Sequence, residues 1–289
     1  MTTSSITGLL QVSDHPSIDI FYSVEGPLDG TKPTVLLSSS LAANIGLWDD
    51  FVNDFRQEYS IVRYDARFHG QSPPSQDPKF DYSAGHSMED LTLDVLELLD
   101  HLNIKRLRAF IGLSIGAAVG VIFGAKFPER VERVIVVGTR ATSNSESNAN
   151  HTARIKFGYE NGPRALGRQS LARWFDEDWT RTHPEGFAHA EDVYCGQSIQ
   201  GYEASIAALR VLDLFPYVNH IGRRSDGGRF VFVAGELDGT VPRESQELAT
   251  ISTSKVVIIP GSGHITPIQM PDVFHRVVRE IMIGAYLSQ

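Results

Sequence analysis

Phe110-Ile111-Gly112-Leu113-Ser114-Ile115-Gly116-Ala117-Ala118 is the stretch that sets the architecture. It reads as a short apolar strand, a Gly-x-Ser-x-Gly turn, and a helix of small residues over 115–127. A serine at such a tight strand-to-helix turn is held in strained backbone angles, with its hydroxyl presented at the end of the strand. Gly112 and Gly116 withhold side chains so that strand and helix can approach closely. The helix starts just after Ser114, and its free N–H groups and positive dipole end favour a negative charge developing there. The motif alone is short and built from common residues; the strand before it and the helix after it give it meaning.

Outward from this turn, short apolar runs recur at 34–37, 60–64, 107–111, 131–137, 229–234 and 255–259, each the length of a strand buried on both faces. Helical spacing separates them. Leu91, Val95, Leu98, Leu99 and Leu102 share one face of a helix over 88–102, with Ser87 as N-cap and Asp90 three residues on. Further helices are expected over 243–250 and 273–287. Two extended segments, 8–13 and 18–24, open the chain around a turn at Asp14-His15-Pro16. Strands alternating with helices predict an α/β fold, a mostly parallel central sheet with helices on both faces.

One region breaks this rhythm. Between about 140 and 222 no buried-strand signal occurs. Residues 142–150, rich in Ser and Asn, read as a loop, followed by helical pieces at 165–175, 189–195 and 202–212. The expected organisation is a core of 1–139 and 223–289, with residues 140–222 as a helical lid inserted after the sixth strand and roofing a pocket.

A serine hydroxyl is a poor nucleophile at neutral pH and needs a base, which in turn needs an orienting carboxylate. In this chain order the acid and then the histidine should follow the serine. Phe230-Val231-Phe232-Val233-Ala234-Gly235 is a strand and Asp238 sits in the loop after it; Glu236, two residues nearer the strand, is the rival acid. Val256-Val257-Ile258-Ile259 is the next strand, and Pro260-Gly261-Ser262-Gly263-His264 follows. Both partners fall beyond the C-terminal ends of strands, where sites of open α/β sheets form. Of the 10 histidines, only His264 follows a strand in a glycine-rich loop. Ser114, Asp238 and His264 are therefore the candidate catalytic triad. The oxyanion would be received by the backbone N–H of Ile115 and by a second amide, assigned to Ser40 in the run Ser38-Ser39-Ser40-Leu41-Ala42.

Here the sequence resembles the 3-oxoadipate enol-lactonase-like members of the α/β-hydrolase superfamily. Ser38-Ser39-Ser40-Leu41-Ala42-Ala43-Asn44-Ile45-Gly46-Leu47-Trp48-Asp49 is similar to their oxyanion loop. Arg63-Tyr64-Asp65-Ala66-Arg67-Phe68-His69-Gly70-Gln71-Ser72 is similar to their Arg-Tyr-Asp-x-Arg-Gly-His-Gly-x-Ser loop, with Phe68 in place of the glycine. Gly235-Glu236-Leu237-Asp238-Gly239-Thr240-Val241-Pro242 resembles their acid loop. The resemblance implies the α/β-hydrolase fold and hydrolysis of a small or medium ester or lactone through an acyl-enzyme.

The 42% hydrophobic content over 289 residues suits one large core, and a net charge of −9 disfavours nucleic acid and anionic membranes as partners. Cys195 is the only cysteine, so no internal disulfide forms. No apolar run approaches the roughly 20 residues that span a bilayer, and no secretory signal is evident, so the chain reads as cytoplasmic. No metal cluster, phosphate loop or dinucleotide fingerprint appears, so no metal or organic cofactor is expected. The partner is a small-molecule substrate; the oligomeric state, a homodimer included, is left open.

The expected substrate-binding residues are Trp48, Phe68, Trp174 and Trp179, with Arg164, Arg168, Arg173 and Arg181 available to pair a substrate carboxylate or to solvate the lid's outer face. Three alternatives stay open on the same residues: cleavage of a C–C bond beside a carbonyl, a cofactor-free perhydrolase or haloperoxidase, and a non-catalytic ligand-binding receptor.

Overall fold

The apolar runs pair into one sheet because each has a hydrophobic residue on both of its faces. The computed structural model describes residues 5–14 and 16–284. Its strands are β1 (Ser5–Asp14), β2 (Ser17–Glu25), β3 (Thr34–Ser38), β4 (Ser60–Tyr64), β5 (Ala109–Leu113), β6 (Val134–Val137), β7 (Phe230–Gly235) and β8 (Lys255–Ile259). They form a single sheet in the order β1-β2-β4-β3-β5-β6-β7-β8. β1 and β2 pair antiparallel, β2 joins β4 antiparallel, and the pairs from β4 through β8 are parallel.

The period of two along each strand divides the core. Leu36, Phe110, Val134, Val136, Phe230 and Phe232 feed one hydrophobic layer. Their chain neighbours Val35, Leu37, Ile111, Ile135, Val137, Val231 and Val233 feed the other. The helices are α1 (Asp49–Phe55), α2 (Met88–His101), α3 (Ile115–Lys126), α4 (Ser145–Asn161), α5 (Pro163–Trp174), α6 (Glu177–Thr182), α7 (Pro184–Tyr194), α8 (Ile199–Arg210), α9 (Phe215–Arg223), α10 (Val241–Ser252), α11 (Thr266–Gln269) and α12 (Pro271–Met282). α2, α3, α9 and α10 cover the first face, and α1 and α12 cover the second. Ser87 caps α2 in a reciprocal capping box with Asp90.

The segment between β6 and β7 carries α4 to α9. Ile155 of α4, Leu166 of α5, and Ile199, Tyr202 and Ile206 of α8 form a cluster of their own. α9 precedes the boundary at 223 expected from sequence, yet Val218 and Ile221 bury it in the sheet's core beside α3 and α10. None of the described helices is long and apolar enough to cross a membrane.

Three expectations are corrected. Of the expected loop 142–150, residues 145–150 are helical. Asn144 accepts from Ser147 N–H, Ser147 Oγ returns the contact, and this capping box starts the 17-residue α4. Only Ile155 and Gly158 of α4 are buried, so its sequence carries almost no apolar stripe. The last helix ends at Met282, where Gly284 takes φ 80° and its N–H bonds the carbonyl of Ile281, a glycine helix stop; residues 285–287 of the expected helix lie outside the described residues. The expected strand at 107–111 begins at Ala109, preceded by a single bridge between Leu107 and Val131. In the predicted turn Asp14-His15-Pro16, His15 lies outside the described residues.

Candidate active site

β5 ends at Leu113 and α3 starts at Ile115, so one residue turns the chain. Ser114 does so at φ 59°, ψ −116°, a conformation that is strained for any residue with a side chain. Its N–H is held by the carbonyl of Val137 at 2.8 Å, and its carbonyl accepts from Ala117 and Ala118. The two glycines are required by contact. A Cβ on Gly112 would drive into the backbone of Gly116 and Ala117, and one on Gly116 would meet the Ser38 and Ser39 carbonyl oxygens. α3 therefore lies directly against the loop after β3. The Ile115 N–H, first in its helix, has no carbonyl in that helix to bond. The Ser114 hydroxyl has no hydrogen-bond partner among the described residues.

The loop after β7 carries Asp238, whose N–H bonds the Gly235 carbonyl and whose carbonyl accepts from Val241. The loop after β8 carries His264 and is pinned by Gly263 N–H to Gln269 Oε1 at 2.6 Å and by Leu237 N–H to the Ser262 carbonyl at 2.8 Å. His264 Nδ1 lies 2.7 Å from Asp238 Oδ2. A carboxylate only accepts, so Nδ1 carries the proton and Nε2 is left as the acceptor. Trp174 stacks on the imidazole at 5.4 Å. Glu236, the rival acid, is exposed and accepts from Gly261 N–H at 2.9 Å, away from the imidazole.

Ser114, Asp238 and His264 line one cavity of about 330 Å³, together with Ser40, Leu41 and Ile115. Ser40 is buried, and its hydroxyl shares a 2.7 Å hydrogen bond with the Tyr194 hydroxyl of α7. The segment after it is tied down by Asp65, whose two oxygens accept from Ile45 N–H at 2.7 Å and Gln71 N–H at 2.8 Å. Burial pushes the Asp65 carboxyl up to about 6, against the pull of those two N–H groups and the Arg63 charge.

Of the four aromatic residues assigned to the pocket, the structure brings only Trp174 to it. Trp48 is fully buried between Phe51 and Phe274, because the turn Ile45–Trp48 runs straight into α1 and points the indole into the layer beneath. Phe68 is buried against Phe80 and Tyr82, and its carbonyl sits so close to Gly201 that a Cβ there would collide; it seats α8 and does not floor the cavity. Trp179 stacks on His183 and donates to the Gln269 carbonyl, lining a separate surface groove. Arg164 is exposed, Arg168 pairs with Glu191, and Arg181 pairs with Asp178 on the surface. Arg173 alone of the four lines the cavity.

Sequence reasoning passed over Arg140, His151, Arg154, Ser170 and Tyr202 as site residues, all of which line the cavity. Arg140 follows β6 and obeys the strand-end rule. His151 and Arg154 stand one turn apart on α4, a relation hidden by reading its start as a loop. Burial, together with the charges of Arg154, Arg210, Arg173 and Arg140, pushes His151 down to about 4, so this imidazole is neutral at physiological pH. Among the described residues no group of His, Cys, Asp or Glu is arranged to hold a metal ion.

The family model for the alpha/beta hydrolase fold matches residues 33–271. The chain is 28% identical to 3-oxoadipate enol-lactonase 2 of Acinetobacter baylyi over 262 residues, 90% of this chain and 92% of that protein. It is 23% identical to the putative carbamate hydrolase RutD of Stutzerimonas stutzeri, covering 89% and 94%. Among solved structures, the enol-lactonase from Burkholderia xenovorans LB400 superposes with a TM-score of 0.79 at 29% identity, covering 92% of this chain and 97% of that one.

Proposed function

The chain belongs to the alpha/beta hydrolase fold family, and from that premise we propose that it hydrolyses a small or medium carboxylic ester or lactone with Ser114 as nucleophile. The observation that carries this reading is the 2.7 Å bond from His264 to Asp238 at the mouth of a cavity that also holds the unpartnered Ser114 hydroxyl. As substrate enters, Ser114 Oγ closes on His264 Nε2; such hydrogen bonds are often long before substrate binds. His264 takes the hydroxyl proton as Oγ attacks the carbonyl carbon, and Asp238 stabilises the imidazolium. The amides of Ile115 and Ser40 receive the oxyanion, each contributing about 3 kcal/mol to the transition state. The imidazolium protonates the departing alkoxide, leaving an acyl-serine. Water, deprotonated by His264, then attacks the acyl carbon and restores the free serine.

In this reading α4 to α8 act as the lid, and Trp174 holds the imidazole face-on. The enol-lactonase relatives favour an ester or lactone over other acyl bonds. A fluorophosphonate probe and a panel of p-nitrophenyl esters and lactones test the proposal. Labelling and turnover that vanish in Ser114→Ala support it. A folded wild-type protein that neither labels nor turns over any member of the panel refutes it.

A further inference from the structure

A second, small cavity of about 20 Å³ shares Ser40 and Ile115 with the one beside Ser114. Its other polar walls are Ser38 at the end of β3, Tyr64 at the end of β4, His69 in the loop after β4, and Ser205 of α8. All four of these side chains are buried.

The polar groups around this cavity do not satisfy one another. His69 Nδ1 lies 2.9 Å from the Arg67 carbonyl, which can only accept, so Nδ1 carries the proton. Burial holds the imidazole below its ordinary pKa, so the ring is neutral at physiological pH and Nε2 is a bare acceptor. That atom is buried, and no described residue donates to it. Ser38 Oγ and the Tyr64 hydroxyl lie 2.8 Å apart, and neither has a second partner among the described residues. Two hydroxyls in one bond use only one of their two hydrogens, so one donor is left over. Ser205 Oγ, 3.2 Å from His86 Nε2, closes the same corner from α8.

A buried acceptor without a donor and a buried donor without an acceptor are each costly to leave so. A molecule that both donates and accepts answers both at once. A water needs roughly 10–15 Å³ and two to four polar partners, and this cavity offers both.

We infer that the cavity binds one buried water, which donates to His69 Nε2 and accepts from the Ser38–Tyr64 hydroxyl pair, and that His69 is thereby a positioning residue for the segment Ser38–Ser40. α3 packs on the Ser38 and Ser39 carbonyls at Gly116, and Tyr194 of α7 holds the Ser40 hydroxyl. The water fastens the same segment from a third side. Its bearing on catalysis rests on the proposed function, in which the Ser40 amide receives the oxyanion; the water site itself does not.

A high-resolution crystal structure of the wild-type protein should show a water within hydrogen-bonding distance of His69 Nε2. Two substitutions then separate the two ring nitrogens. An asparagine reaches as far as Nδ1, so His69→Asn keeps a donor for the Arg67 carbonyl and withdraws the acceptor from the water. A glutamine reaches as far as Nε2, so His69→Gln keeps that acceptor and gives up the inner bond. We expect His69→Asn to speed amide hydrogen exchange across residues 38–41 by about tenfold or more. On a p-nitrophenyl ester it should lower kcat about tenfold and leave KM within about twofold. His69→Gln should stay within about threefold of wild type in exchange and in kcat. The opposite order of the two variants would assign His69 to the Arg67 bond alone and overturn the inference. So would a wild-type cavity without water density, or a kcat indifferent to His69→Asn in an active enzyme.

Failure here and failure of the proposed function look different. Water at His69 and exchange that responds to His69→Asn, in a protein with no esterase activity, would preserve the site and remove the reaction. Turnover abolished by Ser114→Ala, with no water at His69, would do the reverse.

Discussion

The rim of the sheet and the helical insertion between β6 and β7 meet at the same cavity but are built on opposite principles. Ser114, Asp238 and His264 each stand on a short loop that leaves a fully or partly buried strand, and each loop is locked by backbone contacts. At the serine turn the tolerance is below one methyl group, since a Cβ on Gly112 or Gly116 has nowhere to go. The insertion is the reverse: α4 buries two residues, its cluster with α5 and α8 is small, and it brings Arg154 and Arg173 to the cavity. The candidate triad thus stands on the tightly packed rim, while most of the rest of the cavity lining comes from the loosely packed insertion.

Four experiments break or sharpen that contrast. The largest effect is expected at the rim: Ser114→Ala should lower ester turnover by about 10⁴-fold or more without altering the melting temperature beyond a few degrees. Steady-state kinetics with a circular dichroism melt would check it, and a comparable loss from a lid substitution outside the cavity would erase the distinction.

Next, Gly116→Ala forces a methyl group against the Ser38 and Ser39 carbonyls. A loss of about 2–4 kcal/mol of stability is expected from this overpacking, read from urea unfolding. The half-buried Gly162, with open space where its Cβ would stand, tests a different constraint, since its φ of 86° alone opposes a side chain. Gly162→Ala should cost about 1 kcal/mol.

A third pair probes the seam between the regions. Tyr194→Phe removes the partner of the buried Ser40 hydroxyl and should destabilise by about 1–2 kcal/mol, with a several-fold fall in kcat through the oxyanion loop. Tyr202→Phe removes a hydroxyl that has no partner, and its stability should stay within about 0.5 kcal/mol of wild type. Equal effects on stability in the two variants would show that the seam is not fastened at Ser40.

The smallest effect is in pH dependence. Burial pushes His86 down to about 3, and burial with four arginines pushes His151 down to about 4. Both take up protons less readily folded than unfolded, where histidine titrates near 6.5. Their contribution is intact above about pH 6.5 and is lost as pH falls toward 4. Asp65, raised to about 6 by burial, acts with the opposite sign over part of that range. Comparing wild type with His86→Gln and with His151→Gln cancels the Asp65 contribution. Relative to each variant, wild type should lose urea stability between pH 7 and 4.5. The loss should be greater against His86→Gln, because His86 is the more deeply buried. A pH-independent difference would refute the assignment.

The rim was legible in the sequence for a local reason. Gly112-x-Ser114-x-Gly116 dictates its own turn, and the alternating strand residues 34–38 and 230–235 declare two buried faces whatever packs on them. Asp238 and His264 were found because they follow strands, and the carboxylate of Glu236 was set aside only by seeing where it points. Trp48 and Phe68 were misplaced because an aromatic beside a site in sequence can face the core in space, and both do. The start of α4 was missed because a helix held by a capping box and lid contacts needs no apolar stripe.

Sequence by itself thus determined the doubly covered parallel sheet, the serine turn and the order of the three candidate catalytic side chains, since short-range sterics and hydrophobic period are written into neighbouring residues. Only the tertiary structure decided which residues of the helical insertion line the cavity. Arg154, Arg173 and Tyr202 lie on three different helices. Their convergence depends on how those helices dock, a balance of many weak contacts between distant parts of the chain that no local pattern encodes.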